Sequence, residues 1–315
     1  MRYIETFREK ETITGIYFCK QKSTALSKAG KEYASLVLQD KTGVVDGKIW
    51  NLASAGIREF DEKDYVYIKA EVTVFNGALQ LNIAEVRVAE EGTYSENDYL
   101  PCSQYDIEEM YSELLNILKK VQNPHLQALV KMYFVDNADF IKEFKRHSAA
   151  KRVHHGFVGG LLEHTLSVVR MCDTIGDRYS FLDKDLLLCA AAFHDMGKVY
   201  ELSDFPENDY TDAGQLLGHI VMGCELIGNA VRELPGFPKM LERQLKHCIL
   251  AHHGEFEYGS PKKPALAEAL ALHYADDMDA KLQTFKEAIS SPAGQSGEWM
   301  GFNKMLDSNI RKTIV

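Results

Sequence analysis

The chain has no apolar run approaching the roughly 20 residues that a membrane helix needs, so a helical span is not expected. Its start, Met1-Arg2-Tyr3-Ile4-Glu5, carries an acid early and lacks the apolar core of a secretory signal, which makes the cytoplasm the expected location. Cys-x-x-Cys pairs are absent too. The six cysteines (Cys19, Cys102, Cys172, Cys189, Cys224, Cys248) are scattered, which argues against a disulfide framework. The last four lie in apolar helical patterns and are expected to be buried free thiols. Positive charge is in deficit: 36 Lys and Arg against 46 Asp and Glu leave a net charge of −10. This argues against bulk attraction to nucleic acid, and any such contact must use local basic patches. One stretch offers such a patch, Lys20, Lys22, Lys28 and Lys31 with no acid among them, though a solvated loop accounts for it equally well. No internal repeat is present, and the only biased tract is Ser290–Gly297.

What is present is an ordinary globular composition, 45% hydrophobic and 26% charged, in 315 residues. That length predicts two domains. Residues 12–88 read as strands. Thr12–Cys19 and Lys31–Leu38 alternate, Asp40-Lys41-Thr42-Gly43 turns into Val44–Trp50, and Tyr65–Phe75 returns through Asn76-Gly77 into Ala78–Val88. A short helix is expected over Asn51–Phe60. Five strands with a helix after the third predict a small closed barrel, an OB-fold, within residues 1–90. The stretch Tyr33-Ala34-Ser35-Leu36-Val37-Leu38-Gln39-Asp40-Lys41-Thr42-Gly43, with Ile49-Trp50, resembles the nucleic-acid-binding OB modules attached to polymerases and tRNA synthetases. Such folds grip single strands with basic grooves and stacking aromatics. Tyr17, Lys20, Lys22, Tyr33, Trp50 and Phe75 are therefore the candidate nucleic-acid contacts. For each aromatic the competing reading is a core-facing side chain, since half-buried strands are rich in aromatics whatever their function.

Residues 91–104 are acidic and aperiodic and read as a linker. Connecting helices follow over 105–150. The first opens at Ser103-Gln104-Tyr105-Asp106 with a capping-box pattern, the second at Asn123-Pro124, and the third spans Asn137–His147. From Leu161 to Lys286 the pattern is almost wholly helical, with breaks at Gly176-Asp177, Lys198–Gly214, Leu234–Pro238 and Gly254–Pro264. The segment Trp299–Met305 either docks back on the helices or forms a homo-oligomer contact.

The most informative stretch is Phe193-His194-Asp195-Met196-Gly197-Lys198, at the end of the apolar run Leu186–Ala192. Burying unpaired charge there would cost several kcal/mol; metal coordination is one compensation, and a His-Asp pair that merely caps the helix end is the competing reading. His164 lies upstream; His219, His252-His253 and Asp276-Asp277 lie downstream, each about one helix and a turn from the last. Separate helices can thus aim imidazoles and carboxylates into one bundle core. Nitrogen and oxygen donors of this kind suit Mn, Fe, Zn or Co.

His164, His194-Asp195 and Asp276 resemble the H…HD…D signature of the HD-domain metal-dependent phosphohydrolases, and His219 with His252-His253 resembles the variant that holds two metals. The resemblance implies one metal on His164, His194, Asp195 and Asp276. It implies a second that shares Asp195 and adds His219 with His252, either alone or together with His253. Asp195 and Lys198 are then the catalytic residues, the lysine facing substrate phosphate. Arg152, His154, His155, Lys262 and Lys263 are candidate phosphate contacts, and Glu163 and Asp277 candidate supports, each with a plain surface or structural role as the competing reading. The expected fold is thus a two-domain chain, an N-terminal all-β OB-fold barrel followed by an all-α HD-domain helical bundle over 151–315.

At nearly full length, including the HHG and HYADDMDAKL stretches, the chain resembles the YhaM-type 3′-5′ exoribonucleases of Gram-positive bacteria. That likeness implies removal of nucleotides from the 3′ end of single-stranded RNA with two Mn²⁺ (Co, Fe, Zn or Mg as alternatives). Single-stranded DNA is then a second substrate, with no membrane partner. Two other readings compete. One is an HD-type hydrolase of small nucleotides, although the Gly-Tyr-Pro element of the cyclic-dinucleotide phosphodiesterases is absent. The other is a non-catalytic single-strand-binding factor with a structural metal cluster.

Overall fold

The computed structural model describes residues 2–26, 30–75, 77–95, 98–151, 155–290 and 298–313. The chain divides into two compact units, Met1–Cys102 and Ser103–Val315.

The first unit is a closed barrel of five strands, β1 (Thr12–Leu26), β2 (Glu32–Asp40), β3 (Gly43–Ile49), β4 (Tyr65–Phe75) and β5 (Ala78–Val88), in the order β1-β2-β3-β5-β4. β1 closes it by serving two neighbours. Its first half pairs with β4 and its second with β2, with a register shift at Cys19/Gln21 where it changes partner. β3 and β5 complete the ring as a parallel pair. Alternation fixes what points inward: Ala34, Leu36 and Leu38 from β2, Val66, Ile68, Ala70 and Val72 from β4, Leu81 and Ile83 from β5. Each of the Val, Leu and Ile side chains among them contributes about 1.5–3 kcal/mol of burial.

The helix expected over Asn51–Phe60 does not form; the segment is a run of turns and bends. Its backbone is drawn to β5 instead. Arg58 donates to the Val86 carbonyl and Val86 to that of Gly56, both at 2.9 Å. Phe60 is buried, and Leu52 and Ile57 pack on the barrel core. Those anchors outweigh the weak helix propensity of so short a stretch.

The second unit is helical: α1 (Ile107–Leu118), α2 (Pro124–Phe134), α3 (Ala138–Arg146), α4 (Gly160–Arg178), α5 (Lys184–Phe193), α6 (Lys198–Glu201), α7 (Asp212–Glu233), α8 (Lys239–Ala251) and α9 (Ala267–Ser290). A hairpin of β6 (Trp299–Asn303) and β7 (Ser308–Arg311) follows and contacts α9. Asn123 and Asn137 cap α2 and α3. Helix α1 is capped by Asp106, which accepts from the Glu108 and Glu109 amides. Ser103, the expected cap, instead donates to Glu163 at 2.6 Å. α4 ends at Arg178, one residue beyond the break expected at Gly176-Asp177. α5 is buried from Leu186 to Phe193, as a helix apolar all round must be. It is the central post of the bundle, and α4, α8 and α9 pack against it. No helix of the described residues is long and apolar enough to cross a membrane.

Candidate metal centre

The end of α5 delivers His194 and Asp195 into the middle of the unit, at 0% and 2% exposure. α4 brings His164, α9 brings Asp276, and the end of α8 brings His252 and His253. His219 arrives through a break in α7. Gly218 has φ 74° and ψ 156° inside that helix, a backbone glycine adopts freely, and the kink turns the next residue toward the centre. Gly197 allows α7 this close, because a Cβ there would lie 2.1 Å from the His219 carbonyl oxygen.

Every one of these histidines has its Nδ1 occupied. His194 donates to the Ala191 carbonyl at 2.8 Å and His252 to that of Ile249 at 2.7 Å, each three residues back at a helix end. His253 donates to the Tyr258 carbonyl at 2.9 Å, His219 to Glu201 Oε1 at 3.0 Å and His164 to Asp279 Oδ2 at 2.7 Å. Carbonyls and carboxylates only accept, so Nδ1 carries the proton and Nε2 is left as the free donor atom.

These free nitrogens converge on Asp195. Its Oδ2 lies 3.4 Å from both His164 Nε2 and His194 Nε2. Its Oδ1 lies 3.4 Å from His219 Nε2 and 3.7 Å from His252 Nε2. One carboxylate thus faces two clusters, one oxygen to each. Asp276 Oδ1 joins the first, 3.2 Å from His164 Nε2. Asp195 Oδ1, His219 Nε2 and His252 Nε2 are buried without any hydrogen-bond partner. Orphaned groups at that depth cost about 1–3 kcal/mol each, and they sit where imidazole and carboxylate donors fit a divalent cation. His164, His194 and Asp276 form one group able to hold a metal; His219, His252 and His253 form another.

The electrostatics agree. Burial alone would raise the Asp195 carboxyl, but Lys198, His194 and His219 hold it well below the usual range. Burial likewise works against the Lys198 ammonium, and Asp195, 2.8 Å away, more than restores it. Lys198 also donates to the Ala149 carbonyl at 2.7 Å. Burial pushes His252 and His253 below the ordinary imidazole value, so they are neutral and ready to ligate. His164 is the exception. Burial lowers it, yet the carboxylates of Asp276 and Asp279 carry it up to about 10, so a cation must displace its proton.

A cavity of about 230 Å³ opens onto this centre, with His164, Lys198, His253, Tyr258 and Asp276 among its lining. His155 also lines it, but it is 3% exposed with Nε2 3.0 Å from Asp279, so that nitrogen is taken rather than free for substrate phosphate. Lys262 and Lys263 do not line the cavity, and Lys263 pairs with Glu255 at the loop surface. Asp277 pairs with Lys281, whereas Glu163 accepts from Ser103. Arg152, His154 and Lys28 lie outside the described residues.

Sequence reading missed Asp279 and Glu201, the carboxylates that orient His164 and His219. Asp279 was legible in principle. It stands three residues after Asp276, on the same face of α9, and also accepts from His155 and Ser167.

On the barrel, Tyr17 must be corrected. It is 0% exposed, with its hydroxyl donating to the Arg2 carbonyl at 2.7 Å, so it belongs to the core and cannot stack on a base. Tyr33 and Trp50 pack ring to ring with centroids 5.0 Å apart, Trp50 being 50% exposed, and Lys48 lies over Tyr33. Phe75 is 61% exposed. Lys20 donates to Gln39, and Lys22 to the Phe60 carbonyl over that ring.

The fold and the centre define two modules on one chain, a helical unit whose His and Asp cluster could hold metal and an OB-fold barrel. Residues 161–281 match the HD domain family and residues 13–89 the OB-fold nucleic acid binding domain family. Among solved structures, the chain is similar to the HD domain of the L. monocytogenes phosphodiesterase PgpH (16% identity, 52% of this chain and 75% of that one, TM-score 0.27). It is also similar to the second OB-fold domain of replication protein A from Methanococcus maripaludis (19% identity, 30% and 98%, TM-score 0.24). A third likeness is to the S. cerevisiae mitochondrial single-stranded DNA binding protein Rim1 (13% identity, 27% and 100%, TM-score 0.22).

Proposed function

We propose that the protein is a metal-dependent 3′-5′ exoribonuclease of the YhaM type, acting on single-stranded RNA and secondarily on single-stranded DNA. The observation that carries the hydrolase reading is Asp195, whose two oxygens face two separate sets of Nε2 atoms. His164, His194, Asp195 and Asp276 would hold one cation, and Asp195 with His219, His252 and His253 a second, Mn²⁺ being the expected ion. Bound there, the pair supplies Lewis-acid polarisation of a phosphodiester and an acidified water near neutral pH.

The protein's own part is preorganisation. Four imidazoles, His194, His219, His252 and His253, have Nδ1 fixed by an acceptor before any ligand arrives, and His164 has its ring aimed by Asp279, so little reorganisation of the rings accompanies binding. The Lys198 ammonium, buried beside Asp195, offsets charge developing on the phosphoryl oxygens. The OB-fold supports a polymer substrate: Trp50, Tyr33 and Lys48 present rings and a cation on the β2–β3 side, a face such barrels use for oligonucleotides. RNA preference and 3′ polarity are supported by the full-length resemblance alone.

The test is incubation of 5′-labelled single-stranded RNA with the full chain and Mn²⁺. The expected result is a ladder shortening from the 3′ end with release of mononucleotides. Internal cuts, or turnover of small nucleotides alone, would refute the assignment.

A further inference from the structure

We infer that Tyr258 is a nucleobase platform, whose ring at the mouth of the metal-centre cavity stacks on the base beside the phosphodiester being cut. The inference rests on the hydrolase reading for what occupies the cavity and adds how the substrate is recognised there.

Tyr258 lines the cavity together with His253, His273 and Asp277. Whereas His164, His194 and His252 are buried, its ring is 61% exposed. Among the described residues no other aromatic ring packs on it. A ring left largely in water keeps apolar surface that a stacked base would cover.

The backbone beneath the ring is fixed. Its carbonyl accepts from His253 Nδ1 at 2.9 Å, its amide donates to the Glu255 carbonyl at 3.1 Å, and Ser260 Oγ binds the Leu250 and Lys262 carbonyls. The same hydrogen bond that sets the His253 tautomer therefore anchors the Tyr258 backbone beside the cavity that the residue lines. A rigid aromatic loses little freedom on binding. Asp277, lining the same cavity, is paired with Lys281 at 2.7 Å, so its negative charge is offset. An exposed ring is how sequence-tolerant sites stack the bases of single strands. A phosphoester without a base would leave the ring unused.

The test compares wild type, Tyr258→Ala and Tyr258→Phe on two single-stranded RNAs in Mn²⁺, one ending in an ordinary 3′ nucleotide and one in an abasic 3′ residue. In wild type, kcat/KM should fall about 5- to 150-fold on the abasic strand, the range for one stacked base. Tyr258→Ala should show that same fall on ordinary RNA and none further on the abasic strand. Tyr258→Phe, which keeps the ring, should match wild type. An equal loss on both strands in Tyr258→Ala would overturn the platform. Should wild type cut neither strand, the hydrolase reading fails separately. A 3′-terminal 2-aminopurine in the same Mn²⁺ buffer then decides: quenching in wild type and Tyr258→Phe but not in Tyr258→Ala supports stacking, and identical fluorescence in all three refutes it.

Discussion

In the helical unit the polar groups that matter lie at the deepest point of the core: His194 and His252 are 0% exposed and Asp195 2%. In the barrel the residues suited to binding lie outside, Trp50 at 50% and Phe75 at 61%, while the core cluster is built of aliphatic and aromatic side chains with Tyr17 among them. The contrast reflects two kinds of chemistry. A centre that must polarise a phosphodiester gains from low dielectric and from donors locked before binding. A surface that holds a strand of any sequence gains from exposed rings and salt-screened cations. The two activities should therefore separate cleanly under perturbation.

The largest effect is expected at Asp195. Asp195→Ala removes the carboxylate shared by both clusters, so turnover of labelled RNA should fall by more than about 100-fold, beyond the range typical of an orienting residue. EDTA should do the same to wild type. In both cases single-strand affinity, measured by fluorescence anisotropy, should stay near the wild-type value, because the barrel uses no metal ligand. If affinity vanished together with turnover, the separation of roles would be wrong.

Next come the carboxylates behind the imidazoles. Asp279→Ala should lower Mn²⁺ affinity by about 10- to 100-fold in calorimetric titration, since His164 loses the partner that fixes its ring. Glu201→Ala should weaken the site through His219 in the same way. An unchanged isotherm for both would mean that the histidines are held by packing alone.

The helical cluster was legible because its histidines and aspartates recur at one-helix intervals. Spacing and residue type in His164, His194-Asp195, His219, His252 and Asp276 predict convergence, and the structure brings these side chains together; that they ligate metal belongs to the proposed function. What escaped were the groups recognised only by where a second nitrogen points: Glu201, Asp279 and the carbonyls of Ala191 and Ile249. Asn51–Phe60 was misread for a related reason. Its contacts are with β5, more than two dozen residues further along the chain, and local propensity contains no record of them. In the barrel, the strand positions and the Gly43 turn were readable by alternation. Which aromatics face outward was not, because Tyr17, Phe18 and Cys19 are all buried in succession where β1 bends between its two partners.

A smaller effect is expected on the exposed face. Trp50→Ala should weaken single-strand binding by about 1–3 kcal/mol, the worth of one stacked base, while leaving Mn²⁺ affinity unchanged. A loss confined to metal binding would remove the barrel from substrate recognition.

The smallest change tests the corrected residue. Tyr17→Phe keeps the ring that packs edge-on against Phe7 and deletes only the hydroxyl that reaches the Arg2 carbonyl. Losing that bond should cost about 1 kcal/mol of barrel stability, read as a lower denaturant midpoint at unchanged slope. Single-strand affinity should not move, because a ring with no exposed surface cannot touch a base. If binding fell while stability held, Tyr17 would have to reach solvent in solution, and β1 would have to open where it passes from β4 to β2. That bend would then belong to the binding surface rather than to the core.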